Sequence, residues 1–184
     1  MWIPSYPGDE RFDFGDGAYM ILHHNGPDNL VSTNIIPAAS SLFIPYHLHP
    51  KSNETMKVFK GKLSATINGK LVVTTPDSGG VLHIPAGTRH GFQKVPGQED
   101  LIFSESTEPW PDRKKVFFSD LMLGCAAKEV SIVGAMASFY RDDDIVLCIG
   151  DWSPLWLGRL IVFLVGGLIG DKLGFAPRGN VKAD

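Results

Sequence analysis

The chain has 184 residues, 43% hydrophobic and 20% charged, enough for one well-buried core plus an extension. Seventeen Lys and Arg against twenty Asp and Glu leave a net charge of −3, which argues against a nucleic-acid binder, since such proteins show a basic face. The densest basic run, Arg113-Lys114-Lys115, reads as a solvated face, and the many Gly and Pro suit a β-rich domain with frequent turns.

In chain order, residues 1–35 are rich in Gly, Pro and Asp, with short apolar runs such as AYMILHH at 18–24. They read as an arm with one or two strands, His23 and His24 lying at its surface. The opening MWIPSYPGDERFDFGDG has neither the basic nor the apolar region of a secretory signal, so a cytoplasmic protein is expected. Residues 40–106 read as successive short strands: SLFIPYHLH, MKVF, KLSATI, KLVVTT, VLHIP, GFQKV and DLIFSES. Asn68-Gly69 between two of them predicts a type I′ hairpin, because that turn needs positive φ at both positions. Even spacing without intervening helices predicts an antiparallel sandwich or barrel.

Past STEPWPD (106–112) the apolar period becomes helical. KVFFSDLMLG is followed by a segment with Val130, Val133 and Ala137 on one side and Ile132, Met136 and Phe139 beside them. Asp142-Asp143-Asp144 closes it. Ser153-Pro154 reads as N-cap and first residue of a last helix, PLWLGRLIVFLVGGLIGDKLGF. The uncharged run between Arg159 and Asp171 is eleven residues, about 16 Å of helix against a bilayer core of about 30 Å, too short for a conventional span. Gly166, Gly170 and Gly174 form a bare stripe for close packing. A packing or dimer helix is expected, with peripheral membrane contact as the alternative. Cys125 and Cys148 sit in apolar settings and read as buried free thiols.

The chemistry lies in HLHPKSNETMKVFKG, residues 47–61. On a regular strand, residues 43, 45, 47 and 49 share a face, so His47 and His49 project side by side, with Phe43 walling the same pocket. Leu42, Ile44, Tyr46 and Leu48 then form a second apolar face that needs a cover, from the C-terminal helices or a partner. Two neutral imidazoles on one face can bind one transition metal. The turn sequence Pro50-Lys51-Ser52-Asn53 lets Glu54 face inward on the returning strand. His90, three residues after the tight turn Pro85-Ala86-Gly87, offers a third imidazole. His83 reads as structural, and Arg89 as outward-pointing, in a solvated or interface role.

These two blocks resemble the motifs of the cupin superfamily. His47, His49, Glu54 and Gly61 match the first motif in spacing, with Ser41 in place of its leading glycine. Gly79, Pro85, Gly87 and His90 match the second, with Lys94 in place of its final asparagine. The resemblance spans roughly residues 35–105. It implies a mainly β fold, a double-stranded β-helix (the cupin or jelly-roll barrel), here with a C-terminal α-helical extension. The barrel and its arm would occupy 1–110 and the extension 111–184. It also implies one divalent transition metal (Fe, Mn, Ni, Co or Zn) held by His47, His49, Glu54 and His90, with coordination positions left open for catalysis. The expected function is a metal-dependent enzyme acting on a small hydrophobic or aromatic molecule, with dioxygenase-like chemistry favoured. The alternatives are a metal-assisted isomerase, cyclase or lyase (decarboxylase or dehydratase), with Glu54 or a nearby group moving the proton, or a non-enzymatic small-molecule-binding cupin. No convergent Arg/Lys set suggests a phosphorylated substrate. The arrangement resembles small cupins of fungal secondary-metabolite pathways, and a homodimer is expected.

Overall fold

The computed structural model describes residues 3, 5–14, 16–97, 99–109, 111–126, 132–142 and 144–174, with the side chains of 123–126 outside that description. Val130, Asp143 and the Cys125 thiol therefore lie outside the described residues. Ten strands come first: β1 (Glu10–Asp13), β2 (Tyr19–Leu22), β3 (Leu30–Ile36), β4 (Phe43–Leu48), β5 (Asn53–Lys60), β6 (Leu63–Ile67), β7 (Lys70–Thr74), β8 (Val81–Ile84), β9 (His90–Lys94) and β10 (Leu101–Glu108). Helices α1 (Pro111–Ala126) and α2 (Ile132–Arg141) follow, then strand β11 (Val146–Leu147) and helix α3 (Leu155–Ile161), which widens into a π-helix over Val162–Lys172.

The strands form two antiparallel sheets, β1-β2-β3-β10-β5-β8 and β11-β4-β9-β6-β7, in a jelly-roll arrangement. Between them lies a core that includes Met56, Val58, Leu63, Phe92, Leu101 and Phe103. Alternation places it there: Glu54, Met56 and Val58 are the buried residues of β5, two apart, so they share its inner face. The Asn68-Gly69 hairpin forms as expected, with φ of 44° and 76°, and joins β6 to β7 with Ile67 opposite Lys70.

Strand β4 departs from regular alternation. Phe43 pairs with Gln93 and Ile44 with Phe92, then the register breaks and resumes with His47 opposite His90. Pro45, which has no N–H to give a ladder, lies in the break. The bulge inverts the parity ahead of it: Ile44 joins Phe92 on the inner side, and Phe43 is 62% exposed. The expectation that Phe43 walls the pocket is thus corrected. Downstream, Leu48 packs with Val146, the buried free thiol Cys148 and Tyr46. This cover comes from the chain's own C-terminal segment, which also adds β11 to the edge of β4.

Helix α1 packs on β1, β2, β3 and β10, and α2 packs on the π-helix. A Cβ added at Gly166 would stand 2.0 Å from the Met136 carbonyl oxygen, and one at Gly170 2.9 Å from the Ala137 Cβ. The glycine stripe is therefore the seat of α2. Gly174 is outside it, at φ +74° with nothing nearby. Arg141 ties the helices together, 2.7 Å from Asp120 on α1 and 3.1 Å from Asp171. Ser153 is not the N-cap of α3. Pro154 holds that position, because the Ser153 hydroxyl is engaged by the preceding turn, accepting from the Ile149 N–H and donating to the Gly150 carbonyl. Among the described residues, no helix is long and apolar enough to cross a membrane.

Candidate metal centre

His47 and His90 face each other across β4 and β9 in one sheet, Glu54 points at them from β5 in the other, and His49 follows the end of β4. One donor atom from each lies within 4.8 Å of the others. The four residues are between 1% and 8% exposed. Glu54 bridges the rings: Oε1 is 2.9 Å from His49 Nε2 and Oε2 is 3.0 Å from His90 Nε2.

Backbone carbonyls set the tautomers. The Nδ1 of His47 lies 2.6 Å from the Pro45 oxygen, that of His49 3.0 Å from the Asp144 oxygen, and that of His90 2.9 Å from the Thr88 oxygen. A carbonyl only accepts, so each Nδ1 donates and each Nε2 of a neutral ring carries a lone pair. Burial, reinforced by the neighbouring rings of His90 and His49, holds His47 well below the usual histidine range and so neutral. Burial pushes the Glu54 carboxyl up, but His49 and Lys114 overcome this and hold it well below the usual carboxylate range. With all three rings neutral, as metal ligation requires, three imidazole lone pairs and an ionised carboxylate converge in a buried space. They repel one another unless a cation lies among them, and nitrogen–oxygen donors of this kind suit a divalent transition metal. The residues present fit the metal implied by the motifs.

Lys114 was missed by reading Arg113-Lys114-Lys115 as a solvated face. Arg113 has a partly exposed side chain, but Lys114 and Lys115 are only 5% and 8% exposed. Lys115 donates to the His24 carbonyl and to Asp112. Lys114, in the first turn of α1, reaches between the sheets, its Nζ 2.8 Å from Glu54 Oε1 and 2.9 Å from His49 Nε2. The sequence carried one signal for this: Phe117, Phe118 and Leu121 follow at i+3, i+4 and i+7, so Lys114 shares the apolar face of its helix. Burial disfavours its ammonium, but Glu54 and Glu105 outweigh that and raise its pKa. Glu105, on the inner face of β10 and 5% exposed, is pushed up to about 8 by burial and by the charge of Glu54.

Beside these groups lies a cavity of about 110 Å³. Phe92, Phe103 and Ile44 of the sheets and Phe117, Phe118 and Leu121 of α1 wall it, and His47, Glu54, Glu105 and Lys114 line it as well. The other residues singled out in the sequence lie elsewhere. His83 is exposed and bonded to Thr55. Arg89 donates to the carbonyls of Gly150, Asp151 and Ser153, pinning the loop before α3. His23 is fully buried, against the expectation of a surface site. Its two nitrogens meet Asp9 and Thr33, so the ring fastens the N-terminal arm to β3.

No family model matches the chain. It is 33% identical over 124 residues to "Oxidoreductase iacF" of Pestalotiopsis fici, covering 61% of this chain and 60% of that protein. To "Probable oxidoreductase virH" of Hypocrea virens it is 34% identical over 145 residues, covering 72% and 64%. The chain thus spans about three-fifths of the length of these relatives. Similar solved structures include KdgF from Halomonas sp. (17% identity, 56% of this chain and 89% of that one, TM-score 0.43). Another is an RmlC-like cupin family protein with a double-stranded β-helix fold from Methanocaldococcus jannaschii (14% identity, 58% and 83%, TM-score 0.38). With two facing antiparallel sheets and the histidines and glutamate of both motifs converging between them, the chain has the fold of the cupin superfamily.

Proposed function

We propose that the chain is a metal-dependent oxidoreductase acting on a small aromatic molecule that carries an acidic oxygen, with dioxygenase-like chemistry. The observation that carries this reading is the phenylalanine-walled cavity opening directly onto His47, Glu54 and Lys114. The printed names of the fungal relatives, which are oxidoreductases, support it. A divalent ion on His47, His49, Glu54 and His90 would supply open coordination positions for an oxygen ligand, with redox or Lewis-acid chemistry according to its identity. The phenylalanines exclude water and orient a flat ring. The buried ammonium of Lys114 gives this apolar space a cationic donor for a phenolate or enolate oxygen. Oxygen consumption by the Fe(II)-loaded protein with catechol- and flavonol-like substrates tests the reading. Uptake with at least one such substrate is expected, and turnover of these substrates without oxygen uptake would overturn it.

A second reading, metal-assisted isomerisation, dehydration or decarboxylation, is favoured by Glu105. A carboxyl whose pKa is about 8 keeps its proton at neutral pH and can deliver it into the cavity. Conversion under strictly anaerobic conditions would select it. The homodimer remains a proposal, supported by the exposure of Trp152 (77%) and Trp156 (63%) around the start of α3. Sedimentation of the purified chain decides it.

A further inference from the structure

The Nδ1 of His49 is committed to the Asp144 carbonyl, so its Nε2 offers a single lone pair. The Lys114 ammonium lies 2.9 Å from that nitrogen and 2.8 Å from Glu54 Oε1, two atoms of the donor set. A lysine N–H and a metal cannot both use one lone pair. An ammonium this close to a ligand atom would also be repelled by a dication on that atom, strongly so in a dry site. Metal binding therefore requires Lys114 to move, and at 5% exposure its ammonium cannot reach water without lifting α1.

A second seat is close by. Glu105 projects from β10, which pairs with β5, and its Oε1 lies 3.9 Å from Lys114 Nζ. That oxygen is buried and makes no hydrogen bond. We propose that Lys114 is a positioning residue for the metal, transferred from His49 and Glu54 to Glu105 as the ion binds. The two carboxyl groups on adjacent strands are two seats for one ammonium, since the unbonded Oε1 of Glu105 accepts an N–H whether or not that group holds its proton, and the metal decides which seat is used. The transfer frees the His49 lone pair and leaves the ammonium at the edge of the cavity. This inference rests on the metal reading above.

The test is the affinity of the full chain, first stripped with a chelator, for Co²⁺ alone, measured by competition with a chelating dye in a double-mutant cycle. Lys114→Met removes the competitor and is expected to bind Co²⁺ about tenfold more tightly; Glu105→Leu removes the second seat and is expected to bind about tenfold more weakly. In the double variant the Glu105 effect should vanish, leaving affinity within about twofold of Lys114→Met, because a seat without an occupant contributes nothing. If the Glu105→Leu loss persists undiminished in the double variant, Glu105 acts independently of Lys114 and the transfer is wrong. Unchanged or weaker binding by Lys114→Met overturns it as well. Should Lys114→Met fail to fold, Lys114→Gln takes its place in the same cycle. A wild-type chain that takes up no Co²⁺ overturns the metal reading and the transfer with it, whereas tight binding indifferent to position 114 overturns the transfer alone.

Discussion

Lys114 Nζ lies 2.8 Å from Glu54 Oε1, with the two side chains 6% and 2% exposed. The partners are 60 residues apart in the chain, so this ion pair locks the first turn of α1 onto the inner face of β5. Removing one partner leaves the other charge buried with poorer compensation, which typically costs about 3–5 kcal/mol. Lys114→Ala should therefore lower the unfolding free energy of the metal-free protein, read from its urea midpoint, by an amount within that range. A midpoint equal to wild type would show that the pair contributes nothing to folding.

Glu105 makes the stability of the metal-free protein depend on pH. Its folded pKa of about 8 lies above the ordinary value of 4.5, so the folded chain holds a proton that the unfolded chain has released. The stabilisation is fully present below about pH 4.5 and is lost as pH rises toward 8. Urea unfolding of chelator-treated wild type across that window should show a downward slope in stability. The slope should be shallower in Glu105→Gln, which has no proton to lose. Parallel pH profiles for the two proteins would refute the assignment.

The bulge at Pro45 makes a contrasting pair of substitutions informative. Phe43→Ala, at a position 62% exposed, should change stability by no more than about 0.5 kcal/mol. Phe92→Ala should cost about 3–5 kcal/mol, because that ring is 6% exposed and stacks on His90 at a centroid distance of 5.5 Å. Comparable losses at the two positions would mean that β4 runs without the bulge.

Gly166→Ala opposes two effects. Alanine is the better helix former by about 1 kcal/mol, yet its Cβ would lie 2.0 Å from the Met136 carbonyl oxygen. Backbone cannot yield as a flexible side chain can, so the clash wins and a net loss of about 2 kcal/mol is expected. Gly174→Ala, with open space around it but φ +74°, should lose only about 1 kcal/mol through left-handed strain. Thermal unfolding of the two variants separates the effects. A Gly166→Ala protein more stable than wild type would show that α2 does not sit on that face.

The strand run, the Asn68-Gly69 hairpin and the shared aim of His47 and His49 were legible in the sequence, because each depends on local offsets, and the resemblance to the two motifs pointed to Glu54 and His90, which the structure places beside them. Alternation aims His47 and His49 together, the Pro50–Asn53 turn brings Glu54 back, and the Pro85–Gly87 turn presents His90. The outward position of Phe43 is hidden in the sequence because a bulge is a departure from period two that the alternation of SLFIPYHLH does not announce. The burial of His23 is not legible in the sequence because it depends on the arm lying against β3, where Asp9 and Thr33 meet its ring.

What the sequence determined by itself is the run of antiparallel strands and the shared aim of His47 and His49, which follow from spacing along single strands and turns, while its resemblance to the two cupin motifs implied the four-donor set. Only the tertiary structure decided that Lys114 and Glu105 flank those donors and that phenylalanines of α1 complete the cavity. Those facts arise when a helix from the C-terminal segment docks over a two-sheet core. Docking alone determines whether a lysine in a basic run faces water or a buried carboxylate.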